Sequence, residues 1–384
     1  MKVVIAIDSF KGSLSSLELG RLIERGIKKI YKNADVKKVP IADGGEGTVE
    51  ALVEGTKGKF VNIKVHDPLM RLIDARYGIM GNNVAVIEMA EASGLPLLQP
   101  EERDLRKATT YGTGELIKDA VEKGCREFII GIGGSATNDA GLGMMQALGY
   151  KFLDKDGEVL GYGGEIMGNI AEIDSTGAIE GLDRCQFSIA CDVDNPFYGP
   201  RGAAHVYSRQ KGADDEMVEY LDSSLKKLAL TLKEKTGKDV ENIPGAGAAG
   251  GLGGGFVAFL DGELKPGIDI ILQEVSLAES IEDADFVITG EGRIDFQSVM
   301  GKAPMGVSRL SRDKGIPVIA IAGCIADDAE AMHDHGLDAF FSTINYPVSL
   351  EEAMNKERAS IFVEKNIEEI FRLIKICEKK YKLR

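Results

Sequence analysis

Tryptophan is absent from this chain and histidine nearly so, with only His66, His205, His333 and His335. Zinc chemistry, which leans on histidine and paired cysteine, is therefore not expected. His333 and His335 precede Gly336 at a predicted helix end, where they complement the helix dipole. The five cysteines (Cys125, Cys185, Cys191, Cys324, Cys377) include no C-x-x-C pair and are odd in number. That excludes a disulfide scaffold and predicts free thiols. Basic blocks are missing too. Lysine and arginine total 46 against 61 aspartates and glutamates, a formal net charge of −15, which argues against a nucleic-acid or anionic-membrane surface. A small anionic substrate needs only a few local cations and is not excluded.

Long hydrophobic runs are scarce. Val3 to Ile7 is broken off by Asp8, too short for the apolar stretch of a secretory signal. Ile243 to Leu260 is uncharged over 18 residues but holds seven glycines and a proline, so it is not read as a membrane span. The expectation is a cytoplasmic protein. Familiar catalytic signatures are lacking as well. No G-x-x-x-x-G-K-[ST], H-R-D or D-F-G element occurs, which sets aside P-loop and protein-kinase chemistry. Ser135 does not complete a G-x-S-x-G elbow, because Thr137 stands at the last glycine.

Glycine is what the chain has in excess, 47 of 384 residues, against an ordinary share of roughly 7%. The most informative stretch is Phe128 to Gly143, FIIGIGGSATNDAGLG. A short apolar run breaks into Gly131, Gly133 and Gly134, passes through Ser135, Ala136, Thr137, Asn138 and Asp139, and reaches the helical pattern Leu142, Met145, Leu148. A strand ending in glycines that open a helix offers unpaired N–H groups to a phosphate. Gly131 to Ala136 also fits the dinucleotide fingerprint G-x-G-x-x-G/A, with Asp154 near the ribose-binding position. Both readings stay open on these residues alone.

Strand–helix alternation frames the chain. Lys2–Ile7 reads as a buried parallel strand, followed by the capping box Ser15–Glu18 and a helix with Leu19, Leu22, Ile23, Ile27 and Ile30 on one face. Val36–Val39 is a second strand. From Asp285 the alternation returns, with strands Phe286–Thr289, Val318–Ala322 and Ala339–Ser342, helices Gly306–Asp313 and Asp327–His335, and a terminal helix Leu350–Ile376 with a break expected near Ser360. Right-handed crossovers make such a series a parallel sheet. Between the two ends, Val61, Ile63 and Val65, then Ala75, Tyr77 and Ile79, then Val84 and Val86 alternate with polar residues, as antiparallel hairpins do. Gln99–Lys107 reads as a charged linker, and Gly245–Gly255 as a close-packed helix start. The expected fold class is α/β. Residues 1–58 and 268–384 form a Rossmann-like, doubly wound parallel-sheet domain, with 105–150 a candidate addition. Residues 59–267 form an inserted second α/β domain containing the antiparallel hairpins.

Ligands of open parallel sheets bind beyond the carboxyl ends of the strands. Four polar loops hold such places: Asp8–Ser13, Asp43–Thr48, Gly133–Asp139 and Gly290–Asp295. They and their neighbours supply the cations Lys11, Arg293 and Lys302. The carboxylates are Asp43, Glu46, Asp139, Asp192, Asp194, Glu291 and Asp295, and the small hydrogen-bonding groups are Ser9, Ser13, Ser135, Thr137 and Asn138. Phosphoryl transfer asks for this mix: cations and backbone N–H for the moving charge, carboxylates for Mg²⁺, and a base beside the attacking hydroxyl.

Several of these stretches carry a resemblance. Ser9–Ser13, Pro40–Thr48, Gly133–Asp139, Pro244–Gly253, Ile288–Asp295 and Gly301–Pro304 resemble the bacterial type 1 glycerate kinases, in the same order along nearly the whole chain. Ala140 and Ser298 depart from the pattern, where that family usually has glycine and threonine. The resemblance implies ATP-dependent phosphorylation of D-glycerate to 2-phosphoglycerate or 3-phosphoglycerate, with Mg²⁺, on a Rossmann-like domain with a second α/β domain inserted. The expected site lies in the cleft between the domains. There Arg293 would hold the substrate carboxylate, while Lys11, Lys302 and the N–H groups of Gly133, Gly134 and Ser135 would hold the transferring phosphate. Asp192 or Asp295 would take the hydroxyl proton or hold Mg²⁺, with Asp194 a further metal-ligand candidate. Two other readings remain. One is a nicotinamide-dependent oxidoreductase using Gly131–Ala136, the other a non-catalytic protein that closes on a small acid. No nucleic-acid or membrane partner is expected, and a homodimer is compatible with the sequence.

Overall fold

The computed structural model of the protein describes residues 1–45, 47–299 and 301–381. Thirteen strands occur among them: β1 (Lys2–Ile5), β2 (Asp35–Lys38), β3 (Lys59–His66), β4 (Leu72–Ile79), β5 (Ala85–Glu88), β6 (Glu127–Gly131), β7 (Lys151–Leu153), β8 (Glu172–Asp174), β9 (Gln186–Ala190), β10 (Glu263–Lys265), β11 (Phe286–Ile294), β12 (Val318–Ile325) and β13 (Ala339–Ser342). The chain divides into two compact units. The first takes Met1–Asp43, Glu50–Gly55 and the chain from Ile268 onward; the second takes Gly44–Val49 and Thr56–Gly267. Residues 105–150 lie in the second unit.

The first unit is built on a five-stranded sheet of order β13-β12-β11-β1-β2, parallel throughout. β1, β12 and the first half of β11 read as apolar runs because both faces are covered, whereas the edge strand β2 is polar and mostly exposed. Val3, Ile5, Ile7, Ile288, Ile319 and Ile321 form the core with Leu19, Ile23 and Ile27 of the Ser16–Ile30 helix and Val363, Ile367 and Phe371 of the terminal helix. The helix Ser16–Ile30 begins where the sequence says it should. Ser15 accepts the Glu18 N–H, and the Glu18 carboxylate accepts the Ser15 N–H. From β1 the chain winds to β2, whereas from β11 it winds the opposite way to β12 and β13, so the topological switch falls between β1 and β11.

Two expected boundaries shift here. β11 does not stop at Thr289. It runs on through Gly290, Glu291 and Arg293 to Ile294, paired with β12, because Gly290 takes a backbone (φ +156°) in which an added Cβ would stand 1.9 Å from the Ile321 carbonyl oxygen. The Gly290–Asp295 loop is thus largely strand. The terminal helix breaks at Asn355, not near Ser360, and gives Leu350–Met354 and Lys356–Tyr381. Ser349 caps the shorter piece by accepting the Glu352 N–H.

The second unit holds a six-stranded sheet of order β10-β9-β6-β5-β4-β3. It is parallel from β10 to β5 and antiparallel from β5 to β3. Phe128 of β6 and Phe187 of β9 are partners in register and stack at 4.8 Å between ring centroids, with Phe256 tilted against Phe187. The glycine-rich helix Ala248–Leu260 is close-packed, as expected, but kinked. Ala249, Gly250 and Gly251 all take positive φ, and an added Cβ on Gly250 would meet the Thr137 carbonyl oxygen at 2.2 Å. Gln99–Lys107 is no linker, since Leu105 is fully buried in the core of this unit.

Candidate active site

At the switch point of the first sheet, residues following β1 and residues of β11 open onto one cavity of about 470 Å³. Asp8 extends the pairing of β1, its N–H donating to the Gly290 carbonyl. The chain then turns tightly, with the Phe10 N–H bonded to the Leu14 carbonyl and Gly12 at φ +75°. This turn holds Lys11 in the cavity wall, 2.9 Å from the Asp43 carboxylate. On the β11 side, Glu291 accepts the Ser298 hydroxyl at 2.5 Å and pairs with Lys302 at 3.5 Å. Arg293 pairs with Asp295 at 3.1 Å. Ser9 and Ser13 complete the polar wall, and the Ser13 hydroxyl is buried with no hydrogen-bond partner among the described residues. An apolar wall of Phe10, Ile344, Leu350, Met354 and Phe362 adds to the lining.

Electrostatically the cavity is tense. Burial, reinforced by Asp43 and Glu291, pushes the Asp8 carboxyl up to about 7, against the Ser9 N–H and Lys11. Burial also raises Glu291, opposed by Ser298 and Lys302. For Lys11 burial disfavours the charge, yet Asp43, Asp8 and Glu291 outweigh it and its pKa is raised.

The second unit carries its own polar edge, beyond the carboxyl ends of β5, β6 and β9. Glu88 accepts the Val49 N–H at 2.9 Å. The segment after Gly131 is tied down from several sides: Ala136 N–H to the Ser93 carbonyl, Leu95 N–H to the Gly134 carbonyl, Ser208 hydroxyl to Asn138. Lys211 reaches it from below, 2.6 Å from the Ser135 hydroxyl and 2.8 Å from the Thr137 carbonyl. Asp192 accepts the Gly267 N–H at 2.9 Å.

A sequence model of the glycerate kinase family matches residues 3–375. The chain belongs to the glycerate kinase family. It is 48% identical to a glycerate kinase of Halalkalibacterium halodurans over 92% of this chain and 93% of that protein. To a glycerate 2-kinase of Escherichia coli K12 it is 47% identical, with the same coverage. The crystal structure of a provisionally named glycerate kinase 2 from Salmonella typhimurium LT2 matches with a TM-score of 0.91 and 44% identity, covering 99% of both chains.

In this member of the glycerate kinase family the sequence-expected residues fall into two groups. Ser9, Lys11, Ser13, Asp43, Glu291, Arg293 and Lys302 line the cavity of the first unit, with Asp295 held beside Arg293. Gly133, Gly134, Ser135, Thr137, Asn138, Asp139, Asp192 and Asp194 lie in the second unit. Glu46 lies outside the described residues. The phosphate cradle expected at Gly133–Ser135 is not a helix start. The helix begins only at Leu142 and spans six residues, and its first N–H groups are already taken by Asp139. That fully buried carboxylate accepts N–H from Thr110, Gly141 and Gly143 and hydroxyls from Thr109 and Thr110. Four of these five bonds fall on Oδ2 and one on Oδ1, so Asp139 is anchored from within the second unit. Asp194, the other metal-ligand candidate beside Asp192, is 80% exposed and pairs with Arg201 at 3.5 Å.

The dinucleotide reading fails on topology. A Rossmann turn opens directly into a helix that leads to the neighbouring strand, but here the helix begins only at Leu142 and the strand that follows it, β7, lies outside the sheet of β6. Asp154 caps its own turn, accepting N–H from Asp156 and Glu158. Two residues were missed. Asp8 opens the polar loop Asp8–Ser13 but is not among the site carboxylates expected from the sequence, although a carboxylate closing a buried strand at a switch point is a readable signal. Lys211 gave none, being one basic residue in the polar stretch Arg201–Gly212.

Proposed function

We propose that the chain transfers the γ-phosphoryl group of ATP to a hydroxyl of D-glycerate. The observation that carries this reading is the cavity at the switch point, where Lys11, Arg293 and Lys302 line one space of ligand size together with Asp8, Asp43 and Glu291. Arg293 suits the substrate carboxylate through its planar fork. Lys11 and Lys302 suit the transferring phosphoryl group, whose charge they would neutralise as it moves. The apolar wall of Ile344, Met354 and Phe362 suits the flat face of a purine.

Asp8 replaces Asp192 and Asp295 as the proposed general base. It is 3% exposed, opens into the cavity, and is poised near neutrality, as a base for a hydroxyl proton should be. Mg²⁺ takes one or two carboxylates beside substrate phosphates and keeps several waters. Among the described residues no cluster of three or more acidic, histidine or cysteine ligands is assembled. The part-exposed Asp295 carboxylate, beside Arg293, has the hard oxygen chemistry to serve an ion carried by ATP. When bound, that ion would neutralise phosphate charge.

The deciding experiment is incubation with ATP, Mg²⁺ and D-glycerate, with ADP release followed and the product assigned by NMR. ADP formed only when D-glycerate is present supports the reading, and the spectrum separates 2- from 3-phosphoglycerate. Binding of D-glycerate with no ADP formed would leave the non-catalytic alternative in its place.

A further inference from the structure

Lys211 is 2% exposed, in the single turn Arg209–Lys211 of the second unit. Among the described residues it makes no ion pair; the one carboxylate that acts on it is Asp139, which is held by other donors. Its ammonium has only donors to give. One N–H goes to the Thr137 carbonyl and another to the Ser135 oxygen. With that oxygen accepting, the Ser135 hydroxyl keeps its own hydrogen, and no acceptor for it is found among the described residues. Ser135 retains 6% exposure, while Thr137 and Asn138 have none. Thr137 Oγ1 and Asn138 Nδ2, next to it, are buried without hydrogen-bond partners among the described residues, so the loop carries more hydrogen-bonding capacity than those residues satisfy.

We propose that Lys211 is a positioning residue that fixes the Ser135 hydroxyl as an outward donor to an anionic oxygen of the ligand, and that loss of the lysine's proton turns this donor inward. A neutral amine carries a lone pair, which accepts the Ser135 O–H while a remaining N–H keeps the Thr137 carbonyl. One proton passes to solvent, one hydroxyl rotates, and no covalent bond changes. Burial lowers the Lys211 pKa to about 7 against the pull of Asp139. The outward donor is therefore present below that pH and withdrawn above it. The anionic oxygen belongs either to the carboxylate of D-glycerate or to a phosphate of ATP, a choice that rests on the kinase reading.

The test measures dissociation constants for D-glycerate and for Mg-ATP separately, by calorimetry on the full chain, from pH 6 to pH 9. Wild type is compared with Ser135→Ala, which removes one oxygen from a folded core. Taking the ratio of the two proteins cancels ionisations elsewhere, including those of the ligand and of Asp8. The expected result is a ratio of about tenfold at pH 6 for one of the two ligands, falling toward one at pH 9, with the other ligand flat at one. The ligand that responds identifies the source of the anionic oxygen. Lys211→Met should bind that ligand without the pH slope. A ratio of one for both ligands at pH 6, a ratio independent of pH, or binding of neither ligand overturns the proposal. ADP formation is followed on the same samples. Its absence alongside a pH-dependent ratio would refute the kinase reading and leave this one standing.

Discussion

Asp8 and Lys211 are both displaced by burial toward neutrality, one from the acid side and one from the basic side. Their consequences run in opposite directions. As a base Asp8 works ionised, above about 7, so turnover should fall as the pH drops through that value. Asp8→Asn should lower kcat by about 10²–10⁴ and remove the acid limb, while the KM for D-glycerate stays near wild type. A kcat within threefold of wild type in a pH-rate profile would exclude Asp8 as the base. Lys11→Ala and Arg293→Ala should each lower kcat/KM by about 10²–10³ in steady-state assays. Near-wild-type values for both would place the chemistry elsewhere. Lys11, Arg293 and Glu291 were legible in the sequence because a charge set among glycines at a strand end has few structural reasons to be there. Asp139 has the same local look but is buried and bonded within the second unit. Only coordinates show that its five donors come from the Thr109–Thr110 turn and the helix start behind it. Lys211 was illegible for the converse reason, since burial of a lysine is decided by what folds over it.

Elements obey the sequence where one local signal governs them. The capped helix Ser16–Ile30 and the alternating strands β3 and β4 stand as patterned, because capping and period-two burial are set within a few residues. They depart from it where a distant partner intervenes. β11 gains its glycines as strand because β12 pairs with them, and the helix after Asp139 loses its first turns to a long irregular segment packed under Gly250 and Gly255. An added Cβ on Gly255 would stand 2.2 Å from the Ala140 carbonyl oxygen. Such glycines are there for space as well as for φ, and the two causes separate experimentally. Gly237→Ala changes a positive-φ cap (+75°) with nothing within 4 Å, and should destabilise by up to about 1 kcal/mol from backbone strain. Gly250→Ala adds a collision with the Thr137 carbonyl to similar strain, and should destabilise by about 1–3 kcal/mol more, with a loss of ligand affinity at the loop it supports. Urea unfolding of both variants measures the difference. Equal losses would mean that contact with the loop contributes nothing.

For the molecule as a whole, the net charge of −15 is the wrong sign for gathering anionic ligands, so their capture depends on local cations inside a screened cavity. One thiol reports on that cavity. Of the five free cysteines only Cys324 is exposed, and it lines the same space as Lys11, Arg293 and Met354. A maleimide should therefore label the intact protein in one fast step, and Cys324→Ser should abolish that step. If the nucleotide occupies the first unit, saturating Mg-ATP slows the labelling by the factor 1 + [L]/Kd, about a hundredfold when the ligand is present at a hundred times its Kd. NAD at the same concentration should leave the rate unchanged. Should labelling proceed at full speed while calorimetry shows Mg-ATP bound, the apolar wall of Ile344, Met354 and Phe362 is not where the base lies. The nucleotide would then have to be sought at the Gly133–Asp139 edge of the second unit, where the Ser135 variant already provides the means to find it.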